Sequence, residues 1–106
     1  MLYGDTMKIS SAEMSDQAGS AEQFLKKLAN SNRLMVLCVL IEGERSVGEL
    51  NELVPISQSA LSQHLAKLRD AGFVSTRRES QTIYYQLADP RVKVIVESLY
   101  AMFCTP

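Results

Sequence analysis

Few side chains in this sequence could do chemistry: two thiols, Cys38 and Cys104, one imidazole, His64, and a crowd of hydroxyls and carboxamides in "SQSALSQHLAKLRDAGF", residues 57–73. Within that stretch Gln58, Ser59, Ser62 and Gln63 fall in the first turns of a helix, with His64 and Lys67 one turn further on. Hydroxyls and amides are poor nucleophiles without an adjacent base and a group to orient it. No convergent acid, base and nucleophile set is visible, so the chain reads as a non-enzyme. These groups are suited to recognition instead. A Gln can hold adenine with two hydrogen bonds, and a Ser can donate or accept at several bases. The start of a helix also favours a phosphate. Short polar residues are equally good caps and solvated filler, and for Ser57 both readings hold.

Charge points to nucleic acid only locally, and taken alone the patch reads as an ordinary solvated surface. The chain of 106 residues carries a formal net charge of −1. Residues 1–23 hold Asp5, Glu13, Asp16 and Glu22 against Lys8, a balance of −3. Residues 57–85 hold Lys67, Arg69, Arg77 and Arg78 against Asp70 and Glu79, a balance of +2. Affinity for a polyanion depends on such a patch and not on the total. The length fits one domain with a modest core, which a second copy would help to complete. No apolar run reaches the roughly 18 residues of a membrane span. The opening "MLYGDTMKISSAEMSDQ" lacks the pattern of a secretory signal. The expectation is a cytoplasmic protein with no membrane partner, whose two cysteines are reduced thiols.

The elements that must position these residues follow from periodicity. Residues 1–9 are expected to be a flexible N-terminus, and 10–104 one domain. "SSAE" (10–13) is a capping box, followed by Met14, Ala18, Ala21, Leu25 and Leu28 at helical spacing. Gly19 weakens that helix, and Ser20 with Gln23 offers a second possible start. "NRLMVLCVLIEG" predicts a second, largely buried helix with Leu34, Leu37, Cys38 and Ile41 as its stripe, ending at Gly43. "SVGE" (46–49) is another capping box, opening a short helix through Leu53 that Pro55 breaks. Ser57 caps the helix of residues 58–71, which points Leu61, Leu65 and Leu68 inward and stops at Gly72. "FVSTRRESQTIYYQL" changes to β-branched and aromatic residues split by "ESQ", the pattern of a hairpin with Arg77 and Arg78 near its tip. Asp89-Pro90 starts the last helix, where Val92, Ile95, Val96, Leu99 and Phe103 make one stripe. Val94, Tyr100 and Met102 add apolar surface elsewhere, as at a dimer interface.

The order is α-α-α-α-β-β-α: mainly helical, with a β-hairpin wing directly after a helix-turn-helix. In that motif the second helix enters the major groove and its N-terminal residues meet base edges. The expected DNA contacts are therefore Gln58, Ser59, Ser62, Gln63, His64 and Lys67 on the helix, with Arg77 and Arg78 on the wing against phosphates.

At this point the residues resemble a family. "SQSALSQHLAKLRDAGFVSTRRESQTIYYQL" is similar to the recognition helix and wing of the ArsR-type bacterial repressors, and "LANSNRLMVLCVLIEGERSVGEL" to their preceding helices. The resemblance implies a homodimeric transcriptional regulator that pairs through its N-terminal and C-terminal helices. Its partner would be a double-stranded DNA operator of inverted-repeat symmetry. The family's metal-binding members carry a Cys-x-Cys on the third helix; here that stretch is Ser46-Val47-Gly48-Glu49-Leu50. Their last-helix site uses Asp and His; here Asp89 is followed by Pro90-Arg91, and no histidine follows residue 64. No metal and no cofactor are expected. Cys38, in an apolar stripe, reads as a small core residue, whereas Cys104 near the chain end is harder to bury. The chain looks most like a subgroup that includes the biofilm-growth repressor, sulfide-responsive repressors and the haemolysin regulator HlyU. That subgroup carries a cysteine on each of these two helices. The resemblance implies a switch in which a disulfide or polysulfide between Cys38 and Cys104 releases DNA in response to reactive sulfur or oxidants. Two alternatives remain open: structural cysteines in a metal-independent regulator, or an activator of the HlyU type that displaces a silencer.

Overall fold

The computed structural model describes residues 10–104, and the expected flexible segment 1–9 lies outside them. Helix α1 runs Ser11–Leu28 and begins on the expected capping box: Ser10 Oγ accepts from the Glu13 amide at 3.1 Å, and Glu13 accepts from the Ser10 amide at 3.2 Å. It passes unbroken through Gly19, so the second start at Ser20 is not used. Only Leu28 of its apolar series is buried, and Met14 and Leu25 are exposed. Its C-terminal end is held by Phe24, whose ring meets Phe73 edge-on at 5.2 Å and lies under the Arg91 guanidinium at 4.7 Å.

Helix α2 (Ser31–Ile41) is capped by Asn30, whose Oδ1 accepts from the amides of Asn32 and Arg33. The stripe expected on α2 is shifted. Val36, Leu37 and Leu40 are its buried residues, while Leu34, Cys38 and Ile41 are half-buried. The reason is that α2 is central. It packs against the recognition helix and the sheet on one side and the last helix on another, so its apolar arc is wide. Gly43, at φ 147°, turns the chain out of it.

A two-residue strand that periodicity alone did not reveal, β1 (Arg45–Ser46), precedes α3 (Val47–Leu53). Ser46 both ends β1 and caps α3 with Glu49, as expected. Residues 54–57 then turn into α4 (Gln58–Asp70), and Asn51 Nδ2 steadies the turn by donating to the Ile56 carbonyl at 2.9 Å. Ser57 Oγ caps α4 by accepting from the Ala60 amide at 3.2 Å. The far end of α4 is a Schellman motif: the Gly72 amide reaches the Arg69 carbonyl and the Phe73 amide the Leu68 carbonyl, both at 2.9 Å. Gly72 supplies the left-handed φ of 78° that this closure needs, and Leu68 and Phe73 are both buried beside it.

Strands β2 (Val74–Glu79) and β3 (Thr82–Leu87) form the hairpin, and β3 sits between β1 and β2 in an antiparallel sheet. Ser80 takes the positive φ, 57°, that a two-residue turn asks of its first central position. Helix α5 (Pro90–Phe103) starts as expected on Asp89, which accepts from the Arg91 amide, with Pro90 in the first turn. Val92 and Val96 are buried, but Leu99 and Ile95 are half-buried and Phe103 is 79% exposed. The expected stripe of α5 therefore outruns the core of a single chain at its C-terminal end. The core itself joins Leu37, Leu50, Leu61, Leu65, Val92 and their neighbours, drawn from every helix and from β2.

Candidate nucleic-acid interface and thiol pair

Helix α4 divides into two faces. Leu61, Leu65 and Leu68 are at most 2% exposed, whereas Gln58, Ser59, Ser62, Gln63 and Lys67 are all exposed. Burying the three leucines fixes the helix rotation, and that rotation sets the amides and hydroxyls outward as one surface. His64 differs from its neighbours. It is half-buried, and its Nδ1 is enclosed with no hydrogen-bond partner among the described residues. Burial first, then the charges of Arg33 and Lys67, hold its pKa below the ordinary histidine value. It thus sits at the edge of the outward surface, with its charged form disfavoured, and is not a fully exposed reading residue.

The two wing arginines part company because successive side chains of a strand point to opposite faces. Arg77 binds Glu44 with two hydrogen bonds, Nη2 to Oε1 at 2.6 Å and Nε to Oε2 at 3.2 Å, and its Nη1 meets Glu79 at 2.9 Å. It also lies over its cross-strand partner Tyr84, at 4.6 Å. Its charge is raised in pKa by both carboxylates, Glu44 foremost, and Glu44 is lowered in turn. Arg77 therefore ties the wing to the α2–β1 turn. Arg78 is exposed and forms no ion pair among the described residues. Glu44 was not visible as a partner in the sequence: it lies 33 residues from Arg77, and only the sheet brings them together.

The thiols converge. Cys38 and Cys104 line the same apolar cavity of about 250 Å³, with Leu34, Val96, Leu99, Tyr100 and Phe103. Cys38 is half-buried and Cys104 exposed, at the C-cap of α5. Burial pushes the Cys38 thiol up, and the nearness of Cys104 adds to the rise. Among the described residues no group of three or more His, Cys, Asp or Glu side chains comes together. No described helix is long and apolar enough to cross a membrane.

A helix-turn-helix closed by a three-stranded wing, with a polar outward recognition helix, defines a winged helix of the DNA-binding class. The chain belongs to the ArsR family of bacterial transcriptional regulators, a family of regulators and not of enzymes; the model for "Bacterial regulatory protein, arsR family" matches residues 30–76. It is 48% identical over 92 residues to the transcriptional activator HlyU of Vibrio cholerae, covering 87% of this chain and 85% of that one. It is 47% identical over 93 residues to the biofilm growth-associated repressor of Agrobacterium fabrum, covering 88% and 80%. Among solved structures, reduced HlyU from Vibrio cholerae superposes with a TM-score of 0.83 at 47% identity, covering 88% of this chain and 98% of that one. The repressor BigR from Xylella fastidiosa gives 0.82 at 40% identity, covering 92% and 100%.

Proposed function

We propose that this regulator is a homodimer that binds an inverted-repeat operator in the cytoplasm and that thiol chemistry between Cys38 and Cys104 sets its DNA affinity. The observation that carries the thiol part is the shared cavity: two cysteines 66 positions apart, the only ones in the chain, line one pocket between α2 and α5. Cys104, exposed, meets the reagent first. Its thiolate takes the outer sulfur of a persulfide, R–S–SH, and releases RS⁻. Cys38 then gives up its proton and attacks the Cys104 sulfur, forming the disulfide and expelling HS⁻. With peroxide the intermediate is a sulfenic acid, reached with loss of hydroxide; the second attack releases another, and two waters form in all. When Cys38 has itself taken an outer sulfur from a second persulfide, releasing a second RS⁻, its persulfide attacks the Cys104 Sγ and expels HS⁻, which leaves a three-sulfur bridge that spans a gap the direct bond does not. Burial, and then the nearness of Cys104, disfavours the Cys38 thiolate, which leaves the exposed Cys104 as the thiol that meets the reagent first.

The reading face is Gln58, Ser59, Ser62 and Gln63, with Lys67 behind them and Arg78 on the wing. Arg77 acts by holding the wing in place. Dimerisation is supported by exposed apolar side chains on α1 and α5: Met14, Leu25, Val94, Tyr100, Met102 and Phe103. A cleft between these helices, lined by Ala21, Phe24, Val94 and Ile95 among others, is open to receive a second copy. Bridging Cys104 to α2 would move the end of α5, part of that interface. The two recognition helices would then be misplaced relative to half-sites one DNA turn apart. Whether transcription rises or falls follows from where the operator lies. The test is DNA binding of wild type, Cys38→Ser and Cys104→Ser before and after a persulfide donor or peroxide, with mass spectrometry of the product. Wild type should lose two mass units or gain a bridging sulfur and release DNA, and both variants should hold DNA. Equal loss of affinity in all three proteins would return the cysteines to a structural role.

A further inference from the structure

Six basic side chains form no ion pair among the described residues: Lys27, Arg33, Lys67, Arg69, Arg78 and Lys93. Three of the six, Lys27, Arg33 and Lys67, line a single cleft of about 270 Å³ with Asp70 and Ala71. The cleft lies where the end of α1, the start of α2 and the second half of α4 meet. Cations left together repel one another and lose stability, so an arrangement that gathers them invites an anion. Arg33 is held there by two features. Its Nη1 donates to the Lys27 carbonyl at 2.8 Å, and its backbone amide is capped by Asn30. Its Nε is enclosed and has no hydrogen-bond partner among the described residues. The first turn of α2 carries no acidic residue to offset the positive end of the helix. Arg33 and Lys67 also lie close enough to His64 to add, after burial, to the disfavouring of its charged form.

Lys67 joins this cleft to the recognition surface, since it follows Gln63 by one helical turn on the same face. On the opposite flank of α4 a second cavity is lined by Ser46, Gly48, Gln58, Ser62 and Gln81 among others, where α3 and the wing tip approach, and no charged side chain lines it. A helix in a major groove about 12 Å wide has a phosphate strand on each side. We propose that the cleft of Lys27, Arg33 and Lys67 seats a backbone phosphate of the strand opposite the wing and is the sequence-independent anchor of each subunit. This rests on the DNA-binding reading above and adds to it Lys27 and Arg33, from the two helices before the helix-turn-helix, which meet Lys67 of α4 in the cleft. Asp70 works against the anchor and tempers its strength.

The test is fluorescence anisotropy of operator and of unrelated duplex over a range of salt, with wild type, Lys27→Gln, Lys27→Gln/Lys67→Gln, and Asp70→Asn. Lys27→Gln alone should weaken both duplexes, and a loss confined to the variant that carries Lys67→Gln would belong to the reading surface and overturn the cleft. Arg33 is left in place because it also holds the end of α1. The double variant should weaken both duplexes by the same factor, about tenfold or more, and lower the slope of log affinity against log salt by about one per subunit. Asp70→Asn should strengthen both. Base preference should survive in each. A double variant that binds like wild type at every salt concentration overturns the cleft while leaving the DNA-binding reading intact. A wild type that binds no duplex overturns both. Titration with inorganic phosphate separates the remaining source: millimolar binding displaced by duplex supports the proposal. Micromolar phosphate binding lost in the double variant, with DNA affinity unchanged, assigns the cleft to a free anion instead.

Discussion

Gln63 and Arg78 are both exposed, and the contacts proposed for them are to different parts of a duplex, so their loss should look different. A carboxamide on the exposed face of α4 can pair with one base edge. Gln63→Ala should therefore cost on the order of 1–3 kcal/mol on the preferred operator and little on operators altered at that base pair. Arg78 carries a charge on the wing that forms no ion pair among the described residues. Arg78→Ala should weaken all sequences alike and lower the salt slope by about one per subunit. Binding curves on a panel of single-base operator variants decide the matter, and an unchanged base preference in Gln63→Ala would remove that residue from the reading face. Arg77, its neighbour in sequence, should not behave like Arg78. It is committed to Glu44 and Glu79, and what it controls is the position of the wing.

The elements are held by end-effects as much as by their middles. α1 and α3 each open on a reciprocal capping box, and α4 closes on Gly72 in a Schellman motif. A Cβ at Gly72 would meet nothing within 4 Å, so the position is restricted by conformation and not by space. A left-handed φ costs an ordinary L-residue roughly 1–2 kcal/mol. Gly72→Ala should accordingly lower stability by about 1 kcal/mol, read as a lower denaturant midpoint with an unchanged m-value. The same turn aims Phe73 at Phe24 and starts the wing. The variant should therefore also loosen the wing, and a midpoint equal to wild type would show that the closure contributes nothing.

At the scale of the whole molecule, one chain leaves apolar side chains of α1 and α5 exposed, the surface on which the proposed dimer would form. Val94 is 61% exposed on α5 and lines the cleft against α1. Val94→Glu would leave the single-chain core untouched and place a charge in any α1–α5 interface, where burial without a partner is costly. Sedimentation should show a dimer for wild type at micromolar concentration and a folded monomer for the variant, with operator affinity lost along with the pairing. A variant that remains dimeric would move the interface elsewhere. The two halves of an inverted-repeat operator would then need a different explanation.

The order of the helices and the hairpin, both capping boxes, the leucine face of α4, the glycine that stops it and the proline that starts α5 were all determined by sequence alone. Each depends on residues within a few positions of one another, where helix period and backbone geometry act directly. The outward face of α4 was legible for the same reason, since three leucines at helical spacing leave the intervening amides and hydroxyls nowhere else to point. Tertiary structure decided what depends on distant partners. It widened the buried arc of α2, because that helix is packed from more than one side, and it left Phe103 uncovered. It paired β1 with β3, a two-residue strand too short to carry a period. It tied Arg77 to Glu44 while leaving Arg78 without an ion pair among the described residues, half-buried His64, and gathered Lys27, Arg33 and Lys67 from three helices into one cleft. Cys38 and Cys104 were notable in the sequence as the only thiols; that they line one cavity is a consequence of α5 packing across α2. Charge, burial and proximity are sums over the whole folded neighbourhood, and no local pattern of residues contains them.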